Sequence, residues 1–200
     1  MMRAVLATLF ASMMLVSTAE AAPVVGQPAP VFTAVDSNGV SHSLAAFKGK
    51  TVVLEWTNNE CPYTRKHYES GNMQRLQQEA TALGVVWLSV ISSAPGKQGY
   101  VKGPEANALT ASRGAHPTAV LLDPTGAVGR LYEAQTTPHM FVVDKTGVLR
   151  YMGAIDDHPT ASPASLAGAR NYVREALAAV ASGKAVAVAS TEPYGCSIKY

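Results

Sequence analysis

Short runs dense in β-branched and aromatic residues alternate along the chain with stretches of helical spacing. Thr51–Trp56 and Val85–Ile91 are of strand length and bounded by turn-formers. The unbroken apolar character of Val85–Ile91 predicts a parallel strand covered on both faces. Between these runs Met73, Leu76, Ala80 and Leu83 recur at helical spacing. They predict a helix that begins just after Cys61, runs to about Ala82 and stops at Gly84, with Gly71 as an interruption.

The remaining segments complete an α/β pattern. Val31–Asp36 and Val40–Leu44 flank Ser37-Asn38-Gly39 and read as a β-hairpin. His139–Asp144 and Val148–Met152, joined by Lys145-Thr146-Gly147, read as a second. Ser92–Gly103 reads as a loop, Pro104–Ser112 as a helix, Val120–Leu122 as a short strand and Thr125–Tyr132 as a short helical stretch. Ser162-Pro163 has the form of an N-cap followed by Pro at the first helical position. The helix expected from it carries Leu166, Ala169, Tyr172, Val173, Leu177 and Val180 and ends at Gly183. Lys184–Tyr200 shows no periodicity. Strand and helix alternation followed by a hairpin and a last helix predicts one α/β domain with a single sheet.

Composition adds a compartment. Met1-Met2-Arg3, an uncharged apolar stretch over Ala4–Val16 and the small residues Ser17–Ala21 have the form of an export signal with cleavage after Ala21. The apolar stretch is shorter than the roughly 20 residues a membrane-spanning helix needs. The expectation is therefore a periplasmic or secreted domain over 22–200, with no stable membrane span after cleavage. A net charge of +2 with no basic tract argues against a nucleic-acid partner. The chain has two cysteines, Cys61 and Cys196. In an oxidising compartment a disulfide or a redox pair is open to them.

Cys61 carries the chemistry. It follows a strand and precedes Pro62, which places it at the start of a helix. There the unpaired N–H groups and the positive end of the helix dipole favour a thiolate. Arg65, Lys66 and His67 would favour it further or form a solvated helix face, while a nearby Glu60 would oppose it. Asn58 and Asn59 either position substrate or make the turn, and Tyr63 is placed to line the approach to the thiol.

The element order, with Thr137-Pro138 entering the second hairpin, resembles the thioredoxin fold from about Pro28 to Gly183. The resemblance implies a cis Thr137–Pro138 bond facing the thiol. Cys61-Pro62-Tyr63-Thr64 stands where thioredoxins have Cys-x-x-Cys, with Thr64 in place of the second cysteine. The N-terminal hairpin resembles that of peroxiredoxins of the AhpC/TSA type. Their Pro-x-x-x-Thr-x-x-Cys signature is absent, since Leu54 and Asn58 occupy the Pro and Thr places. Gly195-Cys196-Ser197-Ile198-Lys199-Tyr200 and Gly153-Ala154-Ile155-Asp156-Asp157 resemble the tail and the Gly-x-Ile-Asp-Asp segment of peroxiredoxin-like proteins with a lone Cys-Pro-Tyr motif.

That resemblance implies a thioredoxin-like α/β fold with a central mixed sheet and an N-terminal hairpin extension. It implies a thiol–disulfide oxidoreductase with Cys61 as nucleophile, Cys196 as resolving thiol and Glu55 as a buried proton carrier. Thr137, Pro138, Tyr63, Asn59 and Thr64 are the expected substrate contacts. The expected partners are thiol or disulfide proteins, small thiols or hydroperoxides, with no cofactor. The residues alone leave open a copper carrier using Cys61, His67, His139 and Met140. They equally leave open a binding domain stapled by a structural Cys61–Cys196 bridge.

Overall fold

The computed structural model describes residues 22–200, so the expected export signal lies outside the described residues. No helix among those residues is long and apolar enough to cross a membrane. The strands are β1 (Thr33–Asp36), β2 (Ser41–Ser43), β3 (Val52–Trp56), β4 (Val86–Ile91), β5 (Ala119–Leu122), β6 (Thr136–Thr137), β7 (His139–Val143), β8 (Leu149–Gly153) and β9 (Cys196–Ser197). The helices are α1 (Pro62–Glu69), α2 (Asn72–Ala82), α3 (Gly103–Ser112), α4 (Ala127–Leu131) and α5 (Tyr172–Ala181).

Seven strands form one mixed sheet in the order β2-β1-β5-β4-β3-β7-β8. β4 runs parallel to both β3 and β5, as its continuous apolar sequence requires, and every residue of it is buried. The N-terminal hairpin extends the sheet by pairing β1 antiparallel to β5. The architecture is the thioredoxin-like one, with the hairpin as its extension.

Alternation along β3 sorts the core into two layers. Val52, Leu54 and Trp56 face a cluster with Phe32, Leu88, Leu121, Val128, Tyr132 and Phe141. Val53 faces the other cluster, with Met73, Leu76 and Ala80 of α2, Trp87, Met140 and Val173 and Ala176 of α5. Glu55 points into this second side and is fully buried.

Two helical expectations are corrected. The segment after Cys61 is two helices, because Gly71 adopts φ 71° and forms the N-cap of α2. A left-handed residue cannot continue a right-handed helix, and glycine takes that conformation without a Cβ clash. Ser162-Pro163 opens only a 3-10 turn over Pro163–Leu166. The long helix starts at Tyr172, where the Asn171 side chain accepts from the Arg174 N–H as the true N-cap. Gly168, at φ 78°, separates the two.

The Lys184–Tyr200 tail lacks periodicity because its order comes from neighbouring elements. The Met152 N–H donates to Ala189 O and the Thr191 N–H to Met152 O along the edge of β8. Further on, β9 pairs antiparallel with β6 in a separate two-stranded ladder.

Candidate active site

Cys61 is the N-cap of α1, with Pro62 at the first helical position, and its side chain is fully buried. The turn before it is closed by the Cys61 N–H donating to Asn58 O, and the Asn58 side chain accepts from the Glu60 N–H. Asn58 is therefore a turn-maker. Glu60 projects outward and accepts from the Gly99 N–H at 3.0 Å.

Thr137–Pro138 is cis, as the resemblance implied. Thr137 O lies 3.1 Å from Cys61 Sγ.

Cys196 completes the site. The β6–β9 register sets Thr137 opposite Cys196, and Cys61 and Cys196 form a disulfide with Cα atoms 6.0 Å apart across 135 residues of sequence. That separation lies within the range disulfide geometry accepts. Gly195 is required here: at φ 142°, a Cβ on it would stand 2.1 Å from Thr137 O. Cys196 remains half-buried at the strand edge.

The expected substrate contacts divide. Thr137 and Pro138 are buried against the disulfide, Tyr63 and Asn59 are partly exposed at the rim, and Thr64 is fully buried with no partner for its Oγ1. Asn59 also borders a surface groove of about 370 Å³ between α1 and α3, with Arg65, Tyr68, Leu109 and Arg113.

Glu55 is held by donors from α1, α2 and β4 rather than by sulfur. Its Oε1 accepts from Tyr68 Oη at 2.8 Å, and its Oε2 accepts from Trp87 Nε1 at 2.8 Å, Ser89 Oγ at 3.0 Å and Gln77 Nε2 at 3.1 Å. Burial pushes its pKa up, partly offset by these donors.

Lys66 and His67 are buried rather than solvated, and only Arg65 lies on the exposed face, paired with Glu69. Lys66 Nζ donates to His158 O at 2.7 Å and lies 3.4 Å from Asp156 Oδ2. Tyr194, in the tail, joins this group by donating to Asp156 Oδ1. Sequence reading missed the cluster, since its members are far apart in the chain. Asp156, within the Gly-x-Ile-Asp-Asp segment, was the one available signal.

His139 packs on the Phe141 ring, with centroids 4.5 Å apart, and burial lowers its pKa to about 4. Met140 packs in the apolar layer beside Tyr68 and Met73.

The sequence model of the AhpC/TSA family matches residues 25–152. The chain belongs to that family. No curated protein gives a significant match. Among solved structures, an uncharacterized conserved protein from Geobacillus kaustophilus is 23% identical with a TM-score of 0.74, covering 88% of this chain and 92% of its own. A hypothetical protein from Sinorhizobium meliloti 1021 is also 23% identical with a TM-score of 0.74, covering 90% and 96%. The thioredoxin domain of a thiol-disulfide oxidoreductase from Bacteroides vulgatus is 20% identical, with a TM-score of 0.51 over 72% and 96%. These likenesses carry the fold.

Proposed function

We propose that this chain is an exported thiol–disulfide oxidoreductase in which Cys61 is the nucleophile and Cys196 the resolving thiol. The observation that carries the reading is the Cys61–Cys196 bridge at a helix N-terminus, closed across the cis Thr137–Pro138 bond. The export signal read over 1–21 supports an oxidising compartment.

In the reduced protein the Cys61 thiolate attacks one sulfur of a substrate disulfide. A mixed disulfide forms and the other substrate sulfur leaves as thiolate and takes up a proton. The Cys196 thiolate then attacks Cys61 Sγ, closing the bridge and releasing the second substrate thiolate. Two electrons pass from the cysteine pair to the substrate, and an external dithiol restores the pair. In the oxidised protein Cys61 is fully buried and Cys196 half-buried, which favours entry of that dithiol at Cys196. Tyr63 and Asn59 border the approach, and Thr137 and Pro138 hold the acceptor side. Glu55 acts in this reading as a positioning residue, through Tyr68 of α1.

Disulfide rather than peroxide is the substrate class favoured by Asn58, whose side chain is committed to the turn instead of offering a hydroxyl beside the thiol. The test is dithiothreitol-driven reduction of a peptide disulfide. Cys61→Ser is expected to abolish turnover, and Cys196→Ser to accumulate a mixed disulfide on Cys61. Full activity in Cys61→Ser would overturn the reading, and faster turnover with hydrogen peroxide than with the disulfide would move it to a peroxidase.

A further inference from the structure

Lys66, His67, Asp156 and Tyr194 form a hydrogen-bonded group that the exchange chemistry does not use. Asn72 Nδ2 donates to His67 Nδ1 at 2.9 Å, which leaves the ring proton on Nε2, 3.4 Å from Tyr194 Oη. Tyr194 Oη also accepts from Lys66 Nζ at 3.2 Å while donating to Asp156 Oδ1. Lys66, His67 and Asp156 are all buried, so a phenol is the group that joins a cation, a neutral imidazole and a carboxylate in one network. If Tyr194 withdrew, Asp156 Oδ1 would keep only the His158 N–H, and Lys66 would lose one of its acceptors. The docked tail is thus held by directional hydrogen bonds from Tyr194 Oη to three separate side chains of the body of the domain. The Tyr63 ring, beside Cys61, closes over Tyr194 with centroids 5.9 Å apart.

A second anchor lies on the other side of Cys196. The Tyr200 ring rests on Gly126 and Gly129, where added Cβ atoms would stand 2.3 Å and 2.4 Å from it. Arg130 covers the ring at 4.3 Å and Tyr200 Oη donates to Ala134 O at 2.9 Å. Between the anchors, the Ile198 N–H donates to Gln135 O and the Ala94 N–H to Lys199 O. None of these contacts involves sulfur.

We propose that Tyr194 and Tyr200 are positioning residues that hold Cys196 against Cys61 whether the bridge is open or closed. Resolution is then intramolecular at high effective concentration, because the chain-closure entropy is already spent in docking the tail. The kinetic consequence rests on the redox reading above, whereas the docking does not.

The full chain carrying Cys196→Ser cannot form the bridge, and hydrogen exchange at the Ile198 and Ala94 amides reports docking in it. Protection within about tenfold of the oxidised wild type is expected, and exchange at the rate of an unstructured peptide would overturn the proposal. Adding Tyr194→Phe or Tyr200→Ala should accelerate both amides at least about tenfold. In the chain with both cysteines, Tyr194→Phe should lower the effective concentration of the pair against glutathione by at least about tenfold. Thermal melting of the reduced variant serves as the control for global folding. A wild-type effective concentration in Tyr194→Phe would remove Tyr194 from the role. A protected tail beside a bridge that never exchanges with thiols would leave the docking standing and defeat the redox reading instead.

Discussion

Thr137 and Cys196 face each other in the β6–β9 ladder, and this pairing brings a cysteine from the tail to Cys61 at the start of α1. The backbone at Gly195 makes the pairing possible, since its φ of 142° and its contact with Thr137 O exclude a side chain. Gly195→Ala should therefore lift Cys196 from β6 while leaving the sheet intact. The expected result is at least a tenfold fall in the equilibrium constant for bridge formation against glutathione, about 1.4 kcal/mol. An unchanged constant, with the circular dichroism of the wild type, would contradict the account of the ladder.

The bridge closes a loop of 135 residues. In the chain-entropy account such a closure stabilises by up to ~5 kcal/mol, and typical disulfides give ~2–4 kcal/mol. Cys196→Ser should lose stability in that range and remain folded, because the two core layers do not depend on the bridge. Denaturant unfolding of the oxidised wild type and the variant measures the difference. Collapse of the fold in the variant would show the bridge to be a staple the sheet cannot do without.

Glu55 gives a pH signature. Burial raises its folded pKa above the unfolded value, so the folded state holds the proton more tightly. Its contribution to stability is present below the ordinary carboxylate pKa and declines as pH rises through the folded one. Glu55→Gln should flatten that decline at a cost of ~1–2 kcal/mol, since an amide oxygen can still accept from Trp87 and Ser89. Glu55→Ala leaves those donors unpaired and should cost ~3 kcal/mol or more. Urea midpoints from acid to neutral pH separate the variants. A Glu55→Gln curve parallel to the wild type would show that Glu55 does not titrate as described.

His67 and His139 act in the opposite sense. Burial lowers both to about 4. Both stay neutral in the folded protein where the unfolded chain is protonated, so stability falls as pH drops from the ordinary histidine value of ~6.5 toward 4. Replacing His139 with Leu should remove part of that slope while His67 supplies the rest. Equal slopes in the wild type and the variant would contradict the burial of His139.

Much of this was legible in the sequence, for identifiable reasons. Val85–Ile91 is apolar but for Ser89 and became the central parallel strand; Pro62 marks the start of α1 and leaves Cys61 at its cap. Both signals are local. Ser162-Pro163 misled because a cap and a helix-starting Pro set only the first turn, while Gly168 and the Asn171 cap decide where the helix runs. The placement of Tyr194 and Cys196 was illegible for a different reason: the tail has no periodicity of its own and is ordered by partners 38 to 135 residues away. The same limit hid the Lys66–Asp156 pair, since Lys66 reads as helix surface until the tail covers it.

The central claim is that Cys61 and Cys196 form a working redox couple, and the reduction potential of their bridge tests it most directly. Titrating the full chain in dithiothreitol and glutathione buffers, with mass spectrometry counting free thiols, gives that potential. The account predicts a value well above about −300 mV, within reach of cellular dithiols. A bridge more reducing than that, resisting exchange while the protein stays folded, would make it a structural staple and contradict the proposed activity.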